Sequence, residues 1–536
     1  MNPSNVNEPS EASADFYDLA ALVARNATER ADATAVVVSA TGATAEQRLN
    51  WAQFNALVNQ VAAALQRDGQ QAQQKVAVCA SSSVAYLGLF VGALRAGLAV
   101  APLAPSSTPT QLIDMASDAD ARLFFVDDAV AQALDAAGLA TPPGMTRLRL
   151  DNSDGDRGFD DWLAPEGALP KAVAIDPAWA FNLIYSSGTT GTPKGIVQSH
   201  AMRWSHIQRA AINGYSAEAV TLIATPLYSN TTLVAVIPTL AYGGCVVMMA
   251  KFDAGLYLQL AQAHRASHTM LVPVQYQRLM ARPDFDQFDL SAFRAKFCTS
   301  APFHAALKAD ILARWPGGLT EYYGMTEGGG TCVLQAHLFP NKLHTVGQPA
   351  EGHDMRLIDE TGLEMPRTPG QPSALGEVVG RSSGMMTGYH NQPAKTAEAE
   401  WFDAQGQRFI RTGDVGRFDE DGFLILGDRR KDMVISGGFN IYPSDLEAIL
   451  RQHPAVADCA VFGVPSAEWG ETPVAVVVKQ AGASGDAGLA EEMRAWLNHQ
   501  VGKTQRLSAL RLVDELPRSA IGKVLKRELR DGWTAG

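Results

Sequence analysis

Between Tyr185 and His200 the chain reads YSSGTTGTPKGIVQSH, which crowds glycines, threonines and a lysine into the stretch after the apolar run Phe181 to Tyr185. Glycines let main-chain N–H groups approach an anion, threonine hydroxyls add donors, and lysine adds a mobile positive charge. That is phosphate-holding chemistry. It is not the loop GxxxxGK[ST], because Pro193 precedes Lys194 and Gly195 follows it. Three further stretches carry reactive residue types. EYYGMTEGGG, from Glu321, sets an aromatic beside a glycine and then Thr326 and Glu327; an adenine ring can stack on the aromatic, and the carboxylate can hold Mg²⁺ through oxygen. RTGDVGRFDEDG places Asp414 in a glycine-flanked turn, where a carboxylate can accept two ribose hydroxyls. PRSAIGKVLKREL offers Lys523 after a glycine, on an expected mobile loop; taken singly it is one cation among Lys523, Lys526 and Arg527.

The elements that must position these groups follow from the pattern around them. Strand-like KVAVCA, LAVAPL, AVTLIATPL, CVVMMAKF and HTMLVPVQY alternate with helix-like SSVAYLGLFVGALRAG, TTLVAVIPTLAYGG and AGLYLQLAQAHRA. Such alternation predicts βαβ units and parallel sheets, with ligands at the carboxyl ends of strands. The glycine-rich loop is expected to leave a strand and lead into the helical HAMRWSHIQRAAI. From about Asp354 the chain breaks into short strands separated by Gly, Pro and Asp, which reads as a small antiparallel, barrel-like subdomain. A charged stretch with a glycine pair, GDRRKDMVISGGFNIYPSDLE, marks a second boundary, followed by a small α+β pattern. The fold class is therefore α/β: a large N-terminal domain, residues 1–430, of parallel α/β sheets plus the barrel-like subdomain, and a smaller, mobile α+β C-terminal domain, residues 431–536.

Composition narrows the function. The chain has 536 residues, 46% hydrophobic, enough for more than one core. Lys+Arg 44 against Asp+Glu 56 leaves a net charge of −12, which disfavours nucleic acid and anionic membranes as partners. Five scattered cysteines, Cys79, Cys245, Cys298, Cys332 and Cys459, form no CxxC, and no HExxH or Cys/His cluster suggests a transition metal. No basic leader and no run of about 20 apolar residues is present, so the expectation is a cytoplasmic protein without a membrane span. His200, His264 and His304 read as ordinary helix or loop residues, and Tyr322 as a core aromatic.

Read together, the four stretches resemble the adenylate-forming superfamily of acyl- and aryl-CoA synthetases, peptide-synthetase adenylation domains and luciferases, most of all an acyl- or aryl-CoA ligase. The resemblance runs over nearly the whole chain, with the motifs in the family's order. It implies ATP and Mg²⁺ as cofactors and CoA as co-substrate. It implies that Ser187, Gly188, Thr189, Thr190 and Lys194 close over the β- and γ-phosphates, and that Ser300, Ala301 and Pro302 form one adenine wall with Tyr323 stacking opposite. Thr326 would reach the α-phosphate, Glu327 would hold Mg²⁺, and Asp414 with Arg429 would bind the ribose. Lys431 matches the family's hinge position, and Lys523 the lysine that contacts the acid's carboxylate and the α-phosphate. Ser436, Gly437, Gly438 and Phe439 resemble the loop lining the CoA channel, which Trp469 in EWGETP would flank unless it is a core residue.

The resemblance leaves the acid to be read from the pocket. Where aryl-CoA ligases of the family often carry histidine in a PLYH-like stretch, this chain has Tyr228, Ser229 and Asn230 in PLYSNTT, and no Asp stands between Pro226 and Val234 to pair an amino acid's ammonium. Gly328, Gly329 and Gly330 suggest an open pocket floor. The expected substrate is a medium-to-long aliphatic, alicyclic or arylalkanoic acid. CoA is the expected acceptor because no carrier domain follows Lys523; a carrier protein or an amine is the alternative acceptor, and a non-catalytic nucleotide-binding protein the bland one. A homodimer is possible.

Overall fold

The computed structural model describes residues 16–40, 45–186, 193–429, 432–436, 439–466, 469–480, 482–483, 487–519 and 522–533. Two large sheets carry the first part of the chain. The nine-stranded sheet has at its centre five parallel pairings that join Thr34–Val38, Cys245–Met248, Val220–Ile223, His268–Leu271, Ala295–Cys298 and Gly318–Tyr323. Antiparallel strands Gln47–Asn50 and Cys332–Gln335 close its two sides, and Gln348–Pro349 adds to the latter. The seven-stranded sheet orders Gly388–Tyr389, Lys194–Ser199, Ala180–Ser186, Ala99–Pro102, Lys75–Cys79, Leu123–Val126 and Thr146–Arg149. The main core fills the space between the sheets. Helix Asn230–Ala241 is buried there nearly all round, which is why its sequence is apolar without a polar face.

One expectation is corrected by this topology. The glycine-rich loop does not pass from a strand into a helix. Lys194–Ser199 is a strand paired antiparallel with Ala180–Ser186, Ser186 facing Lys194, and helix His200–Ala210 starts only afterwards, with the Ser199 hydroxyl accepting from Met202 N at 3.2 Å. The reason is legible in GIVQSH: Ile196 and Gln198 share a face by the two-residue period of a strand, and both are fully buried. The described residues on either side of the loop thus belong to two paired strands, and the helix follows the second of them.

Residues from Asp354 to Arg429 form the antiparallel sheet Asp354–Ile358, Gly376–Arg381, Arg408–Phe418 and Glu400–Phe402. The long strand Arg408–Phe418 pairs with Glu400–Phe402 in its first half and with Leu424–Arg429 in its second, so the sheet curls. The last sheet consists of Phe439–Ile441, Val434–Ser436, Gly470–Lys479, Val456–Ser466 and the parallel strand Ala509–Val513. Alternation sorts its two faces: Cys459, Val461, Ala475 and Val477 pack with Leu446, Leu450, Met493 and Leu497 of two helices, whereas Ala460, Phe462, Val474 and Val476 pack with Leu516, Leu529 and Trp533. The terminal helix is Lys526–Asp531, shorter than KVLKRELR suggests.

Candidate active site

One cavity of 2190 Å³ gathers residues from the first three sheets and from the segment that follows the last strand of the fourth. Lys194 opens its strand and holds its ammonium 4.9 Å from the ring centre of Tyr389. Tyr389 sits on the neighbouring strand, paired with Ile196, and its hydroxyl donates to Glu327 Oε1 at 2.8 Å. Nothing in the sequence motifs pointed to Tyr389; it becomes part of the site only because Gly388–Tyr389 adds to the edge of a distant strand. The segment after Gly318–Tyr323 is fixed by main-chain bonds, Met386 N to Glu327 O at 2.7 Å and Gly328 N to Met325 O at 2.9 Å. Buried Gln198 holds it from below, donating to Thr326 O at 2.7 Å, while its own carbonyl accepts from Asn182 at 3.0 Å and from Arg203.

Among the described residues no group of three His, Cys, Asp or Glu could hold a metal ion. Glu327 with the Thr326 hydroxyl offers one carboxylate and oxygen donors only. That donor set fits Mg²⁺ brought in on phosphate oxygens, since Mg²⁺ is commonly held by one or two carboxylates plus substrate phosphates.

On the other side Asp414 lines the cavity. Its N–H donates to Thr412 Oγ1 at 3.0 Å and its carboxylate accepts from the Tyr323 hydroxyl at 2.8 Å. Arg429 stands directly across the strand pair from Asp414. Ser300 lines the cavity with φ at +82°, a left-handed conformation rare outside glycine, and its hydroxyl is 2.6 Å from Thr231 Oγ1. Strain of this kind persists where surrounding structure fixes it, and it concentrates at functional sites. Ala301 and Pro302 do not line the cavity.

Tyr322 packs on the main core as expected and also lines the cavity, whereas Tyr323 does not line it but bonds to Asp414, which does. Successive strand residues face opposite ways: Tyr322 lines the cavity, packed on Phe297 at 5.8 Å with its hydroxyl accepting from Asn213 at 3.1 Å, while Tyr323 packs beside the core of the curled sheet and reaches Asp414. Tyr228, Ser229 and Asn230 all line the cavity. Ser229 has a local reason to be serine, capping helix Asn230–Ala241 through Thr231 N at 3.2 Å, and burial pushes the Tyr228 phenol up to about 12.

Gly328 borders the cavity, but Gly329 and Gly330 do not provide an open floor. Both are buried against Gly380: a Cβ on Gly329 would stand 2.9 Å from Gly380 O, and one on Gly330 would run into Met355 Sδ. They are glycines because two sheets touch through their backbones there.

Lys523 reaches the cavity from the C-terminal sheet domain. It sits in a turn in which Ser519 N donates to Lys523 O at 2.8 Å and Lys523 N to Ser519 Oγ at 3.2 Å. Gly522 (φ +76°) lies against Val274, only 2.7 Å from where its Cβ would be. Neither Ser436 nor Trp469 lines the cavity; Ser436 pairs with Gly470, next to Trp469, which is 41% exposed. Ser187, Gly188, Thr189, Thr190, Lys431, Gly437 and Gly438 lie outside the described residues, as do the side chains of Arg429 and Phe439.

Parallel α/β sheets, a curled antiparallel sheet and a small terminal domain that meet on such a cavity define an adenylate-forming enzyme. The chain belongs to the AMP-binding enzyme family: that family's profile matches residues 23–390, and the profile of the AMP-binding enzyme C-terminal domain matches residues 445–523. It is 33% identical over 494 residues to a feruloyl-CoA synthase of Amycolatopsis sp, spanning 90% of this chain and 93% of that one. It is 30% identical over 500 residues to an indoleacetate–CoA ligase of Aromatoleum aromaticum, spanning 90% and 93%. The fold superposes on ATP-bound MatB from Rhodopseudomonas palustris with a TM-score of 0.81 at 29% identity, over 96% of this chain and 99% of that one. The amide bond synthetase McbA from Marinactinospora thermotolerans superposes equally well, TM-score 0.81 at 27% identity over 96% and 99%. No helix among the described residues is long and apolar enough to cross a membrane.

Proposed function

We propose that the chain is an ATP-dependent carboxylic acid–CoA ligase, which joins an acid to AMP with release of diphosphate and then passes the acyl group to the CoA thiol. The observation that carries this reading is that Lys194, Thr326, Glu327 and Asp414 share one cavity with Lys523, contributed by the other end of the chain. Residues 1–430 bind ATP and the acid, and residues 431–536 act as the lid.

A carboxylate is a poor acyl donor because its leaving group would be oxide, and AMP is a better one. The acid's carboxylate attacks the α-phosphorus in line, the new C–O–P link forms, and diphosphate leaves with the electron pair of the broken P–O bond. Two anions must approach for this, and at about 4 Å with an effective dielectric near 20 their repulsion is about 4 kcal/mol. Lys523 offsets it from one side and Thr326 orients the α-phosphate; Lys194 and the glycine-rich loop hold the outer phosphates, and Asp414 with Arg429 the ribose. Mg²⁺, when bound at Glu327, supplies further neutralisation of phosphate charge.

The names of the relatives, feruloyl-CoA synthase and indoleacetate–CoA ligase, support CoA as acceptor and a bulky, arylalkanoic-type or extended acid as substrate. Acetate turning over faster than such acids would overturn that choice. Transfer to a carrier protein or an amine is the second reading, supported by similarity to a fatty acid–[acyl-carrier-protein] ligase, 28% identical over 90% of this chain, and to the amide bond synthetase. Diphosphate release over a panel of acids, with CoA, a carrier protein or an amine as acceptor, separates the two. Lys523→Ala should lower diphosphate release at least about a hundredfold, equivalent to ~2.7 kcal/mol, yet still convert synthetic acyl-AMP and CoA to thioester. Equal loss of both steps would remove Lys523 from its role. The protein is cytoplasmic in this reading.

A further inference from the structure

Helix His200–Ala210 turns toward the cavity a face that the proposed chemistry leaves unused. Met202 lies 2.7 Å from where a Cβ on Gly328 would be, beside Glu327, and Met202, His206 and Arg209 follow one another at helical spacing along the cavity wall. The seven residue steps from Met202 to Arg209 correspond to about 10 Å of helix axis. His353 also lines the cavity. Its Nδ1 accepts from Thr331 N at 2.9 Å, so the ring proton sits on Nε2. That Nε2 faces Arg209 Nη1 directly, and a guanidinium can only donate. Arg209 Nε donates to Ser205 O at 3.2 Å, but its Nη1 meets a second donor at His353 Nε2 and finds no carboxylate there among the described residues.

The surroundings repeat the pattern. His206 Nδ1 is 3.5 Å from Arg203 Nη1, which makes Nδ1 the acceptor and leaves Nε2–H as a donor. Desolvation, with the neighbouring guanidiniums adding to it, pushes His353 down to about 4 and His206 well below the usual histidine range, so both rings are neutral donors. Arg203 is occupied by Asn182 and Gln198. Among the described residues no carboxylate pairs with Arg203 or Arg209, and the charge influences on Arg209 include none. Glu351, two residues before His353, is exposed.

We propose that the acid this enzyme activates carries a second carboxylate, held between Arg209 and His353 about two helical turns from the carboxyl that is joined to AMP. A carboxylate supplies the acceptor that Arg209 Nη1 and His353 Nε2 lack and the negative charge that Arg209 is missing. The inference rests on the ligase reading and names its substrate class.

The test is diphosphate release by the full chain with α,ω-diacids of graded length, adipate through dodecanedioate, each beside the monoacid of the same length. A diacid of matching length should exceed its monoacid in kcat/KM by about tenfold or more, mainly through KM, as expected for a charge-assisted hydrogen-bonded pair. Arg209→Leu should lower the diacid-to-monoacid ratio by about 10- to 100-fold, and Arg209→Lys should restore part of it. Monoacids preferred at every length, or a ratio unmoved in folded Arg209→Leu, overturns the inference while the ligase reading stands. Equal loss for both acids overturns it too, since Arg209 would then serve the reacting carboxylate or ATP. If Arg209→Leu does not fold, the ratio in the unmutated protein decides. Absence of diphosphate release with every acid would instead sink the ligase reading, and this inference with it.

Discussion

At the scale of single residues, the site depends on a tyrosine that no motif announces. Tyr389 lies between Lys194 and Glu327, offering its ring to the ammonium and its hydroxyl to the carboxylate. A hydrogen bond to a charged group contributes about 1.5–3 kcal/mol, so Tyr389→Phe should slow diphosphate release by about 10- to 100-fold and raise the Mg²⁺ concentration at half-maximal rate, because Glu327 loses the bond that orients it. A Mg²⁺ titration of both proteins reads this directly, and an unchanged Mg²⁺ midpoint would detach Tyr389 from Glu327's role. His200 makes a separate statement about stability. It is buried edge-on against Phe181, at 5.0 Å between ring centres, and desolvation pushes its pKa down to about 4. The unfolded chain takes up this proton below about 6.5, so the stability it contributes is complete above pH 6.5 and is lost as pH falls to 4. Urea unfolding should therefore show a midpoint that declines over that window, and His200→Gln should remove on the order of 2–3 kcal/mol of the decline.

At the scale of elements, what could be read from the sequence was whatever rests on local periodicity or on a dense motif. Strands such as Lys75–Cys79 and Cys245–Met248, and the helices between them, were legible because each buries one run of apolar side chains. Asp414 and Lys194 were legible because glycines crowded around a charged residue have few structural uses, although Asp414 lies within the strand Arg408–Phe418 and not in the turn its flanking glycines suggested. The rest depends on contacts made across the chain. That Tyr322 faces the cavity and Tyr323 faces Asp414 follows from which face of one strand meets the curled sheet, and no local pattern states that. Gln198 and the helix face with Arg209 were invisible for the same reason. Gly328 to Gly330 is the most instructive case: three glycines beside a pocket suggested space for substrate, yet two of them allow sheets to touch. Gly330→Ala should accordingly act as overpacking against Met355 and Gly380, destabilising by about 1–3 kcal/mol. Denaturant unfolding should report that loss, while the order of preference among acids of different length stays as it was. A shift in chain-length preference at unchanged stability would restore the open floor.

At the scale of the molecule, the small terminal domain turns one of its edges to the cavity and keeps another out of it. Lys523 lines the cavity, while Ser436 and Trp469, at the end of a strand pair in the same domain, do not. If Lys523 neutralises the approach of two anions in the first step, its ammonium occupies the space that the thiol must cross in the second. The proposed two steps then call for two placements of the terminal domain, whose sheet is packed on both faces. In the proposed reading the link between Arg429 and Val434 bends for this, as hinges are a few residues at element ends that absorb the change in φ and ψ. Proline fixes φ near −65° and restricts the residue before it, so Lys431→Pro should spare diphosphate release to within about threefold while slowing conversion of synthetic acyl-AMP and CoA to thioester by about a hundredfold, ~2.7 kcal/mol. Measuring the two half-reactions separately tests this. Loss confined to diphosphate release would mean that the placement seen here is the one proline obstructs, and an unimpaired second step would mean that the thiol enters without any rotation of the domain.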